Sequence, residues 1–280
     1  MTIGELSQSD QSRAHGDAAI SVAGVSQVYG LANDPRRVVA LDHASLTVTR
    51  GELLCLIGPS GCGKSTLLNI IGGLASPSEG EVTIDGNKVT APLPKKVAYV
   101  FQESALFPWR TVIDNVKLGM AFQGVARAER DERAREALTA VGLVEFADHY
   151  PAQLSGGMKQ RAQLARALGL KTDILLMDEP FASLDEQTRM VLGEDLSELL
   201  ARTGKTIVFV THSLVEAVFL ADRVAVFTAR PGRIKDVIAV EEGHPRNRLF
   251  MTSDKLGKLR NQLYELLHDE IRKTMGEARL

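Results

Sequence analysis

Between the apolar run LLCLI and the helix-like STLLNIIGG lies GPSGCGKST, Gly58 to Thr66, and no other stretch restricts the chain as strongly. It fits the pattern G-x-x-x-x-G-K-[ST] in the strand-to-helix setting that gives the pattern its meaning. Phosphate binding needs several backbone N–H groups converging on anionic oxygens. Gly58, Gly61 and Gly63 permit that wrap, Pro59, Ser60 and Cys62 complete the turn, and the helix opening near Thr66 adds its dipole. Lys64 then meets the outer phosphates of a nucleotide, and Ser65 has the hydroxyl that this pattern places on Mg²⁺ bridging the β and γ phosphates. Two further runs, DILLMDE and TIVFVTH, are short and nearly all apolar, as parallel strands buried on both faces are. An α/β fold follows.

With 280 residues and 44% hydrophobic content, the chain has room for one large domain or a domain plus an appendage. The first eighteen residues read as a disordered tail, and the fold proper starts near Ile20 with AISVAGVSQVY and ASLTV, which suggest antiparallel strands. From Thr111 to Val141 the spacing is helical and rich in Ala, Arg and Glu. After Asp222 come two strand-like pieces, RVAVFTAR and GRIKDVIAV, then an amphipathic helix from about Asp254 to Met275. Lys plus Arg number 33 and Asp plus Glu 35, a net charge of -2 without like-charge blocks, which argues against nucleic acid as a partner. Cys55 and Cys62 sit inside or beside the glycine-rich loop, where a disulfide would distort the turn, so a reducing cytoplasm fits. No apolar run approaches the ~20 residues that cross a bilayer, and the polar start MTIGELSQSDQSRAHGD lacks the plan of a secretory signal. Work at a membrane would require partners to hold the chain there.

A second anion site is suggested by LSGGMKQRAQLARAL, beginning at Leu154. Ser155, Gly156 and Gly157 read as a helix cap with exposed N–H groups, more than one nucleotide in the first loop would need, and sensible across a dimer. The strand ILLMD ends in Asp178, whose carboxylate at the strand's carboxyl edge can hold Mg²⁺ through water, and Glu179 follows beside it.

The ordered set GPSGCGKST, the glutamine of VFQE, LSGGM, ILLMDEP, SLD and a strand-terminal TH resembles the nucleotide-binding subunit of ABC transporters over roughly residues 20–230. The resemblance implies a P-loop NTPase core with an antiparallel β subdomain and a helical subdomain at about 107–166. The ATPase domain would span 19–245, followed by a helical extension over 246–280. It implies ATP and Mg²⁺ as cofactors. Glu179 would be the catalytic base, His212 would sit by the γ-phosphate, and Gln102 would contact Mg²⁺ or the lytic water alongside the metal-holding Ser65 and Asp178. Asp185 would line the dimer interface, although a helix cap explains it nearly as well; Tyr29 would stack on adenine, with a core aromatic as the alternative. Two copies would pair head to tail, each ATP lying between one copy's Lys64 loop and the other's Ser155 cap. Integral-membrane permease subunits and, through them, a periplasmic or extracellular solute-binding protein would be the partners, at the cytoplasmic face of the cell membrane. Met158 stands where this family usually has Gln. LSGGMKQR, ESALFPWRTVIDNV and TARPGRI together resemble the importer branch serving nitrate, sulfonate, taurine and related anions; Trp109 of that set is either core or coupling surface. A soluble ABC ATPase of DNA repair or translation would carry two cassettes or a long coiled coil. A nucleotide-sensing module would have lost Glu179 or His212. After Arg230 the sequence leaves regulation and plain packing equally open.

Overall fold

The computed structural model describes residues 18–30 and 36–277. The tail expected over residues 1–18 lies outside the described residues, except that Ala18 opens the first strand. Strands β1 (Ala18–Tyr29), β2 (Val38–Thr49), β4 (Glu79–Ile84) and β5 (Asn87–Lys88) form an antiparallel sheet in the order β2-β1-β4-β5. A second sheet combines β3 (Leu53–Ile57), β6 (Val97–Val100), β7 (Ile174–Asp178), β8 (Thr206–Val210), β9 (Arg223–Phe227) and β10 (Ile234–Ala239). Its order is β10-β9-β3-β8-β7-β6, all parallel but for β10. The helices are α1 (Lys64–Ile71), α2 (Val112–Phe122), α3 (Arg127–Ala140), α4 (Gly156–Leu168), α5 (Glu186–Thr203), α6 (Leu214–Leu220), the single turn α7 (Arg248–Met251) and α8 (Asp254–Glu277).

The three apolar runs expected to form the central sheet are β3, β8 and β7, adjacent and buried along their whole length. Side chains alternate across a strand, so each run feeds two cores. Leu53, Cys55, Ile57, Leu175, Met177, Ile207 and Phe209 face the layer containing α2, α3, α4 and α6, while Leu54, Leu56, Ile174, Leu176, Val208 and Val210 face α1 and the antiparallel sheet. A run with only one buried face would alternate with polar residues; these do not, because neither face meets water.

Helix α8 buries Leu256, Leu263 and Leu267 on one stripe. The chain leading to it is fastened by Arg246, almost fully buried, whose guanidinium donates to the carbonyls of Val218 (2.9 Å), Phe219 (3.2 Å) and Ala221 (2.8 Å) at the end of α6 and lies over the Phe250 ring. Burial lowers its pKa to about 10 against the pull of Asp222 and Glu242, so it remains a cation capping carbonyls that have no helical partner.

Before α2, the segment 107–111 puts Trp109 in solvent at 69% exposure, edge-on to Phe107. Trp109 is therefore not a core residue. The segment is held from beneath by Asn115, which is fully buried: its Oδ1 accepts from Phe107 N (2.7 Å), and the two protons of its Nδ2 are shared among the carbonyls of Phe107, Arg110 and Thr111 (3.2, 3.1 and 2.9 Å). Replacing Asn115 by Leu keeps the branched shape but removes the side-chain partner of Phe107 N and the Arg110 carbonyl, while the Phe107 and Thr111 carbonyls keep their backbone bonds, at a cost of about 1–3 kcal/mol. We expect Asn115→Leu to lower the urea midpoint and the fluorescence anisotropy of Trp109, the chain's only tryptophan. No change in either would mean that other contacts fix the segment.

Candidate active site

The loop between β3 and α1 is shaped by close approach. Gly63 caps α1 with φ +102°, and a Cβ there would come within 2.7 Å of the Ala40 carbonyl oxygen. At Gly58 a Cβ would lie 2.7 Å from Phe227 Cβ. Lys64 is 5% exposed, and its ammonium donates to the carbonyls of Gly58 (2.9 Å) and Pro59 (3.0 Å), with Cys62 Sγ at 3.7 Å. Burial pushes the Cys62 thiol up, so that sulfur is neutral. Cys55 and Cys62 are both free. All of Lys64's hydrogen-bond partners among the described residues are uncharged. A buried ammonium in such company is an unbalanced positive charge, and a phosphate group fits it.

Ser65 Oγ donates to Asp178 Oδ1 (3.1 Å), which joins the start of α1 to the end of β7. Burial raises the Asp178 pKa, opposed by the Ser65 hydrogen bond and reinforced by the adjacent Glu179 carboxylate. A hard cation on this hydroxyl–carboxylate pair would offset that cost, and the oxygen donor set suits Mg²⁺. Glu179 leaves β7 with φ +48°, a left-handed conformation that is uncommon for a side chain of its kind and costs about 1–3 kcal/mol. The turn aims its carboxylate at two partners. His212 Nε2 lies 2.6 Å from Glu179 Oε1, and Gln102 Nε2 donates to Glu179 Oε2 (3.2 Å). Three residues named as catalytic from sequence, separated by up to 110 positions, thus meet at one carboxylate.

Tyr29 is half exposed at the end of β1, its hydroxyl 3.5 Å from Thr66 Oγ1, and is no core aromatic. Ser155 caps α4 by accepting from Met158 N (3.3 Å), and the exposed Gly156 follows. Gly157 packs so closely on Leu184 that a Cβ would touch it at 3.0 Å. Asp185 caps the first turn of α5 through Thr188 N (2.9 Å) and the Thr188 hydroxyl (2.7 Å); these bonds lower its pKa. A cap is therefore what Asp185 is within one chain.

Sequence reasoning missed a supporting group behind the site. Thr211, next to His212, donates to Glu216 Oε2 (2.6 Å), Arg189 Nε lies 3.3 Å from Glu216 Oε1, and Arg189 Nη2 donates to the Leu184 carbonyl (3.0 Å). Burial raises the Glu216 pKa, while the Thr211 bond and the Arg189 charge oppose it. These side chains and Glu179 line a cavity of about 230 Å³. A glutamate four residues beyond a strand-end histidine was the available signal, and alone it is indistinguishable from an ordinary helix-surface residue.

Comparison with known proteins agrees with this geometry. The family model described as ABC transporter matches residues 41–182. An uncharacterized ABC transporter ATP-binding protein of Methanocaldococcus jannaschii is 48% identical over 239 residues, 85% of this chain and 88% of that protein. A taurine import ATP-binding protein of Rhizobium johnstonii is 44% identical, covering 87% of this chain and 94% of its own length. A nitrate import ATP-binding protein of Synechocystis is also 44% identical, over 76% of this chain and 81% of its own length. Among solved structures, the dimeric ABC transporter cassette MJ0796 superposes with TM-score 0.74 at 35% identity, covering 80% of this chain and 99% of that one. Its post-hydrolysis state bound to ADP and Pi superposes with TM-score 0.73 at 34% identity. With the fold, the nucleotide loop and the kinship in agreement, the chain belongs to the ABC transporter family as one of its ATP-binding, ATP-hydrolysing cassettes.

Proposed function

We propose that this cassette is the motor of a bacterial importer for a small anionic solute such as nitrate, taurine or another sulfonate. The observation that carries the catalytic part is the meeting of Glu179, His212 and Gln102 beside the Lys64 loop. ATP is held by Gly58 to Thr66, with Lys64 on the outer phosphates and Tyr29 on the adenine. Ser65 and Asp178 hold Mg²⁺, assisted by Gln102; when bound, the ion neutralises charge on the phosphate oxygens. Glu179 orients and deprotonates the attacking water, and His212 donates to charge developing on the transferred group. His212 also fixes the rotamer of Glu179 before substrate arrives, which favours an oriented base over a freely rotating one.

Two copies pair head to tail, so that the partner's Ser155, Gly156 and Gly157 close over the nucleotide and Asp185 lies along the join; a dimeric cassette among the similar structures supports this. The ATPase unit is 19–245, with helical residues 107–166 facing integral-membrane permease subunits and 246–280 appended as a helical extension. Exposed Phe107 and Trp109 are a suitable contact for the permease. No helix of the described residues is long and apolar enough to cross a membrane. In this reading the cassette works from the cytoplasmic face through the permease, which in turn meets an external solute-binding protein. The choice of anion rests on the import proteins it resembles, and ATP turnover by the reconstituted transporter, stimulated by one member of a panel of nitrate, taurine, alkanesulfonates and bicarbonate, would identify the solute. Stimulation by none of these anions would refute the importer assignment to this class.

Glu179→Gln should retain ATP binding and lose turnover by about 10²- to 10⁴-fold, the usual effect of removing a positioned general base. ATP-trapped dimers should accumulate on size exclusion; near-normal hydrolysis would remove Glu179 from this role.

The shared site is tested by mixing Lys64→Ala with Ser155→Arg, both in a Glu179→Gln background so that bound ATP is trapped. Each homodimer has two damaged sites. In a head-to-tail mixed dimer one site joins both lesions and the other is intact, so random assortment restores roughly a quarter of all sites. Trapping no greater than that of the separate proteins, with subunit exchange verified, would mean that each site is built within one chain.

A further inference from the structure

The turn joining β9 to β10, residues 228–233, lies directly against the outside of the phosphate loop. Arg230 Nε donates to the Gly61 carbonyl (3.2 Å), and its Nη2 lies where a Cβ on Gly61 would be met at 2.8 Å. Two residues on, Gly232 approaches the Cys62 carbonyl oxygen so closely that any side chain at Gly232 would overlap it. Gly232 is itself fixed to β2, donating to Ala40 O (3.0 Å) and accepting from Asp42 N (3.0 Å). The Gly61 carbonyl is therefore held on the outer side of the loop by a hydrogen bond, while the Cys62 carbonyl packs closely against Gly232. In a planar trans peptide the N–H of the next residue points opposite to the carbonyl. With the Gly61 carbonyl accepting from Arg230, the Cys62 N–H points away from the turn and into the loop, where it donates to the Pro59 carbonyl (3.4 Å), so this one peptide fixes the curl of the phosphate loop.

The far side of the same turn is gripped by α8. Ala229 N donates to Glu270 Oε2 (2.9 Å), and Glu270 Oε1 accepts from Lys235 (3.0 Å) and Lys273 (2.9 Å). Glu270 is 2% exposed, and Lys235 also donates to the Leu266 carbonyl (2.8 Å). Burial pushes the Glu270 pKa up, but the hydrogen bonds from Ala229, Lys273 and Lys235 outweigh it and hold it at about 2. The carboxylate stays charged at any pH at which the protein would be assayed. Within the turn, the single Thr228 hydroxyl proton is shared between the carbonyls of Ala229 (2.9 Å) and Pro231 (3.0 Å), and the hydroxyl oxygen accepts from Arg233 N (3.0 Å), which ties 228–233 into one piece between helix and loop.

We propose that Arg230 is a positioning residue for the phosphate loop and that Glu270 holds it in place, so that the carboxyl-terminal helix sets how tightly the cassette binds nucleotide. Arg230 acts through the Gly61 carbonyl and not by touching phosphate. The helix is thus part of the binding machinery, although 204 positions separate Glu270 from Thr66, the last residue of the loop. This inference rests on reading Gly58 to Thr66 as the nucleotide loop.

The test compares ATP and ADP affinity by equilibrium dialysis, kcat and KM for ATP, thermal midpoint, and amide hydrogen exchange over residues 59–66, for full-length single and double variants. Arg230→Ala should raise both dissociation constants about three- to tenfold, the scale of one charge-assisted hydrogen bond. It should raise KM more than it lowers kcat, speed exchange at residues 59–66, and be partly rescued by Arg230→Lys. Glu270→Ala should do the same, with Glu270→Gln, which keeps an acceptor for Ala229 N, as the milder variant if Glu270→Ala folds poorly. Because both act through one turn, Arg230→Ala combined with the Glu270 variant should bind no more weakly than Arg230→Ala alone by more than about twofold. Lys258→Ala, exposed on α8, is the control for the helix itself. Lys64→Ala run in parallel separates the two readings. If it loses binding while the Arg230 and Glu270 variants bind ATP like the parent, or if their effects add fully, the positioning route is wrong and the nucleotide loop stands. If Lys64→Ala binds ATP like the parent, the loop assignment itself falls.

Discussion

Because β3, β8 and β7 run parallel and side by side, their carboxyl ends emerge together at one edge of the sheet, and the site exists because of that coincidence. The register is in step: Leu56 pairs with Val210, and Val210 with Asp178. The chain segments that leave these three strands carry the Lys64 loop, His212 and the Asp178–Glu179 pair. β8, which leads to His212, lies between the strand that enters the phosphate loop and the strand that ends at Asp178 and Glu179. A parallel sheet must be buried on both faces, so the apolar runs that make the core also make the active-site edge. A slip of one residue in β8 would turn its alternating side chains to the wrong cores as well as moving His212.

At that edge the charges are arranged around groups that a bare protein would not favour. Lys64 is buried against neutral carbonyls, Asp178 is buried with its pKa raised, and Glu179 sits in a left-handed turn. Each is a local cost, and the Lys64 charge is one that the phosphates of a bound nucleotide would offset. Stability and binding are thereby linked, since a ligand that relieves these costs in the folded state alone raises the folded population.

The fold was legible where one residue type dominates a local stretch. LLCLI, ILLMD and TIVFV read as strands buried on both faces, being short, apolar throughout and followed by turn signals, and the helix at Asp254 is marked by leucines recurring on one stripe. β6 was not singled out, because VAYV is four residues long and its tyrosine uses its hydroxyl, donating to Asn69 Oδ1 (2.8 Å), in a contact that no local pattern announces. The site residues could be named from the resemblance, but not the contact between Glu179 and His212, 33 positions apart, which depends on strand order. Asn115, Arg230 and Glu270 were silent for the same reason. Each is an ordinary polar residue in its own helix or turn, and it acquires meaning only from the segment the fold brings beside it.

The cap at Ser155 and the carboxylate of Glu179 are joined within one chain by an unbroken series of contacts. Gly157 packs on Leu184, and Gln160 of the same helix accepts from Ser183 N (3.0 Å). The Leu184 carbonyl accepts from Arg189, Arg189 pairs with Glu216, Glu216 accepts from Thr211, and the next residue, His212, lies against Glu179. The start of α4 can therefore move relative to the end of β8 only by breaking one of these bonds or by carrying the 183–185 segment with it. The Arg189–Glu216 link, a largely buried ion pair at 3.3 Å in which Arg189 Nε lacks the alignment of a hydrogen bond, stands directly behind His212 in this series.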